Sequence, residues 1–147
     1  DEIYRRPATT YVATFVGKPR MSLVGGSLAV EGGLAALIGD GLRIPLGEPA
    51  ALGLTDGPPA LIALGVRAED VRIDADAGTM PGGFPATVAL LEPIGSDTFV
   101  ELAVGTSTIV ARVSPDLPLG IGQPVTAAVA PGRAHLFDAA SGLRIGA

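Results

Sequence analysis

Phe84 to Val113 reads FPATVALLEPIGSDTFVELAVGTSTIVARV, three strand patterns in succession. Val100, Leu102 and Val104 alternate with Phe99, Glu101 and Ala103. Ile109, Ala111 and Val113 alternate with Thr108, Val110 and Arg112. A period of two places one apolar row on the buried face of each strand. Ala86 to Leu91 is apolar almost throughout, which predicts a strand covered on both faces. Pro93-Ile94-Gly95-Ser96-Asp97 and Gly105-Thr106-Ser107 are the expected breaks, rich in turn-forming residues. Such a meander needs further strands to cover its inner face.

The flanks supply them. Met21 to Val24, Ser27 to Val30, Leu34 to Ile38 and Leu42 to Leu46 read as short strands, separated by Gly25-Gly26, Gly32-Gly33 and Gly39-Asp40-Gly41. Glu48 to Pro59 reads as irregular, with one helical turn at Pro49 to Leu54. Ala60 to Arg67 is a strand, Ala68 to Asp70 a turn, Val71 to Asp74 a short strand and Asp76 to Gly83 a loop. After the meander, Ser114 to Gly122 is a loop. Pro124 to Ala130 is a strand with proline at its first position, and His135 to Phe137 and Leu143 to Ile145 are terminal strands. Many short strands at regular spacing predict an all-β fold, a small barrel of the OB kind or two such barrels side by side.

Residues 1–20 differ. Pro7 stands where a first helical residue would and Gly17 where a helix would stop, and Ala8, Tyr11, Val12, Phe15 and Val16 follow helical spacing. One short helix is predicted, followed by a linker at Lys18 to Arg20. Such a helix is marginal alone and needs a surface to lie on. It would either pack on this domain or bridge to a preceding one. The expected division is residues 1–20 as linker helix and tail of a preceding domain, and 21–147 as the β domain. The chain opens on Asp1 rather than Met, which suggests a segment of something longer.

Composition narrows the function. A net charge of −5, with ten Lys and Arg, offers no clustered cationic groove for phosphates. Four Phe and two Tyr are few for a base-stacking platform. The absence of cysteine excludes disulfides and thiolate metal sites, and suits a cytosolic protein. Leu117 to Gly132, the longest uncharged run, holds three prolines and is no spanning helix.

The search for chemistry returns little. The phosphate-cradling pattern GxxxxGK[ST] is missing, and Gly120-x-Gly122 is too short for a dinucleotide fingerprint. His135 is the single histidine, so metal ligation has no partner set and a structural role is expected. Ser96, Asp97 and His135 would make a triad on paper, but Ser96 lacks a nucleophile-elbow context. Glu69 with Asp70, and Asp74 with Asp76, read as solvated loop carboxylates. No catalytic, metal-binding or nucleotide-binding residue is expected. Glu92, directly before Pro93, reads as an edge residue or as a polar contact at an interface or hinge.

Four motifs carry a resemblance. Pro7, Tyr11-Val12-Ala13, Phe15-Val16-Gly17, Pro19 and Met21 resemble PxxxFVAxFIGxPxMN, with Ser22 in place of Asn. Leu64 to Val71 resembles LGIRPEHL, with Ala68 for Pro and Asp70 for His. Leu91 to Thr98 is similar to VExLGxET. His135-Leu136-Phe137-Asp138 with Gly142 and Arg144-Ile145 matches HLFD…TGxRI. In this order they resemble the C-terminal regulatory (TOBE/OB-fold) domain of a bacterial ABC importer ATP-binding subunit of the maltose, carbohydrate and glycerol-phosphate type.

That resemblance implies a domain rather than an enzyme. The family's Walker A, signature and Walker B sequences would lie upstream, so ATP and Mg belong to the parent and no cofactor to this segment. It implies a homodimer through this domain, contact with its own nucleotide-binding domain, and membrane subunits reached through the full-length protein. Some members also receive a regulatory protein or a small ligand. It implies a cytoplasmic domain, its parent peripheral on the inner membrane. Glu92, Gly95, Ser96 and Asp97, with Arg67 and Glu69 as a second group, are the expected regulatory or interface residues. The alternative is a TOBE-type domain sensing a small anion or sugar.

Overall fold

The computed structural model describes residues 2–15, 17, 19–54, 61–75, 80–130 and 132–146. Two antiparallel sheets carry the architecture. The first is built from β1 (Ser22–Glu31), β2 (Leu34–Gly39), β3 (Leu42–Gly47), β4 (Ile62–Val66), β10 (His135–Asp138) and β11 (Arg144–Ile145), in the order β11-β10-β4-β1-β2-β3. The second contains β5 (Val71–Asp74), β6 (Phe84–Ile94), β7 (Asp97–Val104), β8 (Ser107–Val113) and β9 (Pro124–Val129), in the order β5-β9-β6-β7-β8. β8 also approaches β1 and β5, so the second sheet curls towards closure. The expected all-β, OB-like barrel class is therefore what forms. In place of the single expected helix, the N-terminus holds α1 (Glu2–Arg5) and α2 (Thr10–Phe15). Pro7 falls between them, because a proline cannot continue the ladder of α1.

The core lies between the sheets. Val24, Leu37, Ile44, Ile62 and Leu64 from one sheet meet Phe84, Val88, Val100, Leu102 and Ile109 from the other. Each is fully or nearly fully buried, and burial of such a side chain contributes roughly 1.5–3 kcal/mol. The alternation in β7 and β8 is the expected one: Val100, Leu102, Val104, Ile109 and Ala111 face inwards.

Three local expectations are corrected. β6 is not covered on both faces. Phe84, Ala86 and Val88 are buried, whereas Thr87, Ala89 and Leu90 are exposed. Its apolar run includes a bulge between Val88 and Leu90 that resets which residues face in. Pro93 and Ile94 belong to the strand, and the break shrinks to Gly95-Ser96. Gly25-Gly26 does not separate two strands. β1 runs through it, pairing with β4 up to Gly26 and with β2 from Ser27. A Cβ on Gly26 would stand 2.5 Å from the Ile38 carbonyl oxygen, so glycine allows this close change of partners. The helical turn expected at Pro49 to Leu54 is a 3₁₀ turn at Pro49–Leu52, and a second covers Ala68–Asp70. Val16 and Lys18 of the expected helix and linker, residues 55–59 and 76–79 of the expected loops, and residue 60 at the start of an expected strand lie outside the described residues.

Candidate functional site

The β6–β7 hairpin brings the first group of expected residues together. Ile94 pairs with Asp97 across Gly95-Ser96, and Gly95 takes a φ of 57° that a side chain would resist. Glu92, Phe99 and Arg112 stand opposite one another across β6, β7 and β8, on one face of the sheet. Leu90 and Ile94 flank Glu92 on that face, 45% and 47% exposed. Arg112 Nε lies 4.0 Å from Asp97 Oδ2, on the diagonal that neighbouring strands allow. Beyond Val88, no described strand pairs with the outer edge of β6. The result is an exposed face mixing apolar residues with Glu92, Asp97 and Arg112, beside a free strand edge.

The second group turns inward and meets the N-terminus. Arg67 directly follows β4, ahead of the 3₁₀ turn, and is only 2% exposed. Its guanidinium packs over the Tyr4 ring, and Nη2 donates to the Tyr4 carbonyl oxygen. The Tyr4 hydroxyl donates to the Glu69 carboxylate. Burial, then this bond to a carboxylate, pushes the Tyr4 phenol up from its ordinary value. Burial alone would raise Glu69, but the Tyr4 bond, a backbone bond and the charges of Arg112 and Arg67 outweigh it and hold the carboxyl low. Asp70 is raised, chiefly by burial, although Arg133 lies 3.9 Å away.

A second arginine secures the same segment. Arg144 Nε donates to the Pro7 carbonyl oxygen at 2.8 Å, and its backbone N–H to the Ala8 carbonyl at 2.8 Å. Thr10 N–H donates to the Gly142 carbonyl at 2.9 Å, and Thr9 bridges to Leu143. Arg144 Nη2 lies 2.8 Å from His135 Nδ1, with its guanidinium over the Phe137 ring. A guanidinium only donates, so Nδ1 must accept and His135 is neutral. Burial, then the charges of Arg144, Arg67, Arg133 and Arg6, hold its pKa down to about 4. Ala13 of α2 is buried against Met21 and Phe137. The lone histidine thus has the structural role expected of it.

Tyr4 and Arg112 are contributors that sequence reasoning passed over. The RI ending singled out Arg144, but nothing in its spacing revealed that it holds Pro7 from far along the chain. Among the described residues there is no group of acidic and histidine side chains able to hold a metal, and no helix long and apolar enough to cross a membrane. A cleft of about 830 Å³ opens between β3 and β9. Leu46, Val129 and Leu136 line it, together with the exposed Arg43, Arg72 and Glu48.

Comparison with known proteins places the chain among relatives. The chain is 34% identical over 149 residues to the sn-glycerol-3-phosphate import ATP-binding protein UgpC of Pectobacterium atrosepticum, covering 99% of this chain and 38% of that protein. It is 33% identical over 147 residues to UgpC of Burkholderia thailandensis, covering 99% of this chain and 39% of that protein. The chain thus spans well under half the length of these relatives. What it matches in these ATP-binding proteins is the TOBE region, and its residues contain no Walker A sequence and no ATPase domain. Among solved structures, the cytoplasmic molybdate-binding protein ModG with molybdate bound superimposes with a TM-score of 0.58 at 20% identity, over 78% of this chain and 93% of that one. The two share a fold. The TOBE domain family matches residues 64–137, half of the sequence, with all of the second sheet and parts of β4 and β10, and this chain belongs to that family.

Proposed function

We propose that the chain is the regulatory and dimerisation domain of the ATP-binding subunit of an ABC importer for a sugar or related solute. The exposed hairpin face carries this reading. Leu90, Ile94 and Phe99 provide apolar contact, Glu92, Asp97 and Arg112 provide directional charge, and the adjoining β6 edge is free. A twofold arrangement would bring such a face onto its own copy. The strapped N-terminal segment supports the same reading, since it would join the barrel to a nucleotide-binding domain as one body. ATP and Mg would serve that domain. Membrane subunits, and in some settings a regulatory protein, would be reached through the longer protein on the cytoplasmic side. Light scattering across a concentration range tests pairing: dimer formation in the micromolar range is expected, and a strict monomer at high micromolar concentration overturns it.

A second reading, sensing of a small anion or sugar, is favoured by the cleft lined by Leu46 and Val129 with Arg43 and Arg72. Its volume falls in the range of small-molecule sites. Thermal-shift screening against oxyanions and sugars separates the two, because the pairing reading requires no ligand.

A further inference from the structure

Two arginines line the cleft between β3 and β9, and they come from different sheets. Arg43 belongs to β3, the edge strand of the first sheet, and Arg72 to β5, the edge strand of the second. Arg43 meets Glu31 at 3.6 Å with both side chains more than half exposed, a pair too weak to hold the guanidinium against a better-placed anion. Arg72 has no ion pair among the described residues. The interior is aliphatic: Leu136 is buried and Leu46, Leu52 and Val129 are half-buried, whereas both arginines are exposed. Among the described lining residues, Arg43, Arg72 and Glu48 have the only polar side chains, and no aromatic ring, amide or hydroxyl is present.

That lining selects among ligands. A sugar presents hydroxyls on every side, and most of them would lose water without gaining a partner. A bare oxyanion has no apolar part to use the walls. A ligand with an aliphatic body and one carboxylate uses both, because a guanidinium matches a carboxylate with paired N–H donors. Glu48 opposes a second negative charge on the same ligand. In a chain of net charge −5, two cations against one acid make this cleft suited to a single anionic head.

We propose that the cleft binds a medium-chain monocarboxylate, its head held at the arginine rim and its chain lying against Leu46, Val129 and Leu136. Such a ligand would tie the edge strands of the two sheets together. This rests on the cleft being a ligand site, the second reading above, and narrows the small anion of that reading to an amphipathic one.

Calorimetric titration of the whole chain tests it, with octanoate kept well below its micelle concentration. Octanoate should bind with one site per chain. Hexanoate should bind more weakly, by about 4-fold for each methylene lost from the walls. Arg43→Gln and Arg72→Gln should each weaken octanoate about 2- to 5-fold and leave the affinity for 1-octanol unchanged, a split that general loosening of the fold would not produce. Ala51 is exposed on the cleft, and Ala51→Trp should fill it and abolish binding of both. Octanoate affinity that is unchanged in both arginine variants, unchanged in Ala51→Trp, or no better than that of 1-octanol overturns the proposal. Molybdate or maltose binding without octanoate also overturns it but leaves the cleft a ligand site. Silence from every probe overturns both.

Discussion

The Arg67 guanidinium lies 4.2 Å from the centroid of the Tyr4 ring, while its Nη2 donates to the Tyr4 carbonyl oxygen at 3.0 Å. One side chain just past β4 thereby grips both the π face and the backbone of a residue far upstream. The charge sits in a nearly closed site, where its bonds weigh more than they would in water.

Arg67→Ala should destabilise the chain by about 1.5–3 kcal/mol, the usual contribution of a hydrogen bond to a charged group. Urea denaturation would measure it. Arg67→Lys should recover only part of the loss, because an ammonium cannot stack its plane on Tyr4 while bonding the carbonyl.

His135 predicts a pH dependence. Its pKa is about 4 in the folded chain against an ordinary 6.5. Between those values the unfolded chain binds a proton that the folded chain refuses, so this group's contribution makes stability fall as pH drops from about 6.5 to about 4 and level off below. Asn in its place retains an acceptor for Arg144 and does not titrate. The stability difference between pH 7 and pH 5 should therefore be smaller for His135→Asn than for the parent, as read from thermal melts at both values.

Phe137 packs with Ala13 and Met21 beneath Arg144 and is fully buried. Phe137→Ala should cost about 3–5 kcal/mol through the cavity it leaves. Because Ala13 of α2 loses its floor, hydrogen exchange in Thr10–Phe15 should also rise more than in β6 to β9.

Gly105 joins the tips of two hairpins from different sheets. Its φ is 59°, a Cβ there would overlap the Asp40 carbonyl oxygen, and Thr106 N–H donates to that same oxygen at 3.3 Å. Gly105→Ala should destabilise by more than ~1 kcal/mol. The same change at Gly95, where nothing lies near the added methyl, should cost less. Denaturant midpoints of the two variants would show the order.

The meander was legible because Val100, Leu102, Ile109 and Ala111 obey a period that only a half-buried strand satisfies. β6 was less so. Its bulge at Ala89 and its one-sided cover depend on where β9 stops, and no local pattern records that. Gly25-Gly26 misled for a related reason: glycine marks both turns and close approaches of backbone, and here the approach of Ile38 prevails. The hairpin residues Glu92, Gly95, Ser96 and Asp97 lie together, since neighbours in sequence stay neighbours around a tight turn. Arg67 with Tyr4 and Arg144 with Pro7 are contacts over long separations, and composition and spacing carry no sign of them.

Pro93 stands in the part of β6 that borders no second strand. A proline there has no N–H to offer an incoming strand, and the bulge just before it bends the edge. A visiting chain would find an interrupted ladder, which discourages open-ended stacking into fibrils. The same border still admits a side-chain handshake while refusing to be extended, so that an encounter between copies ends at a closed contact rather than a growing chain of them.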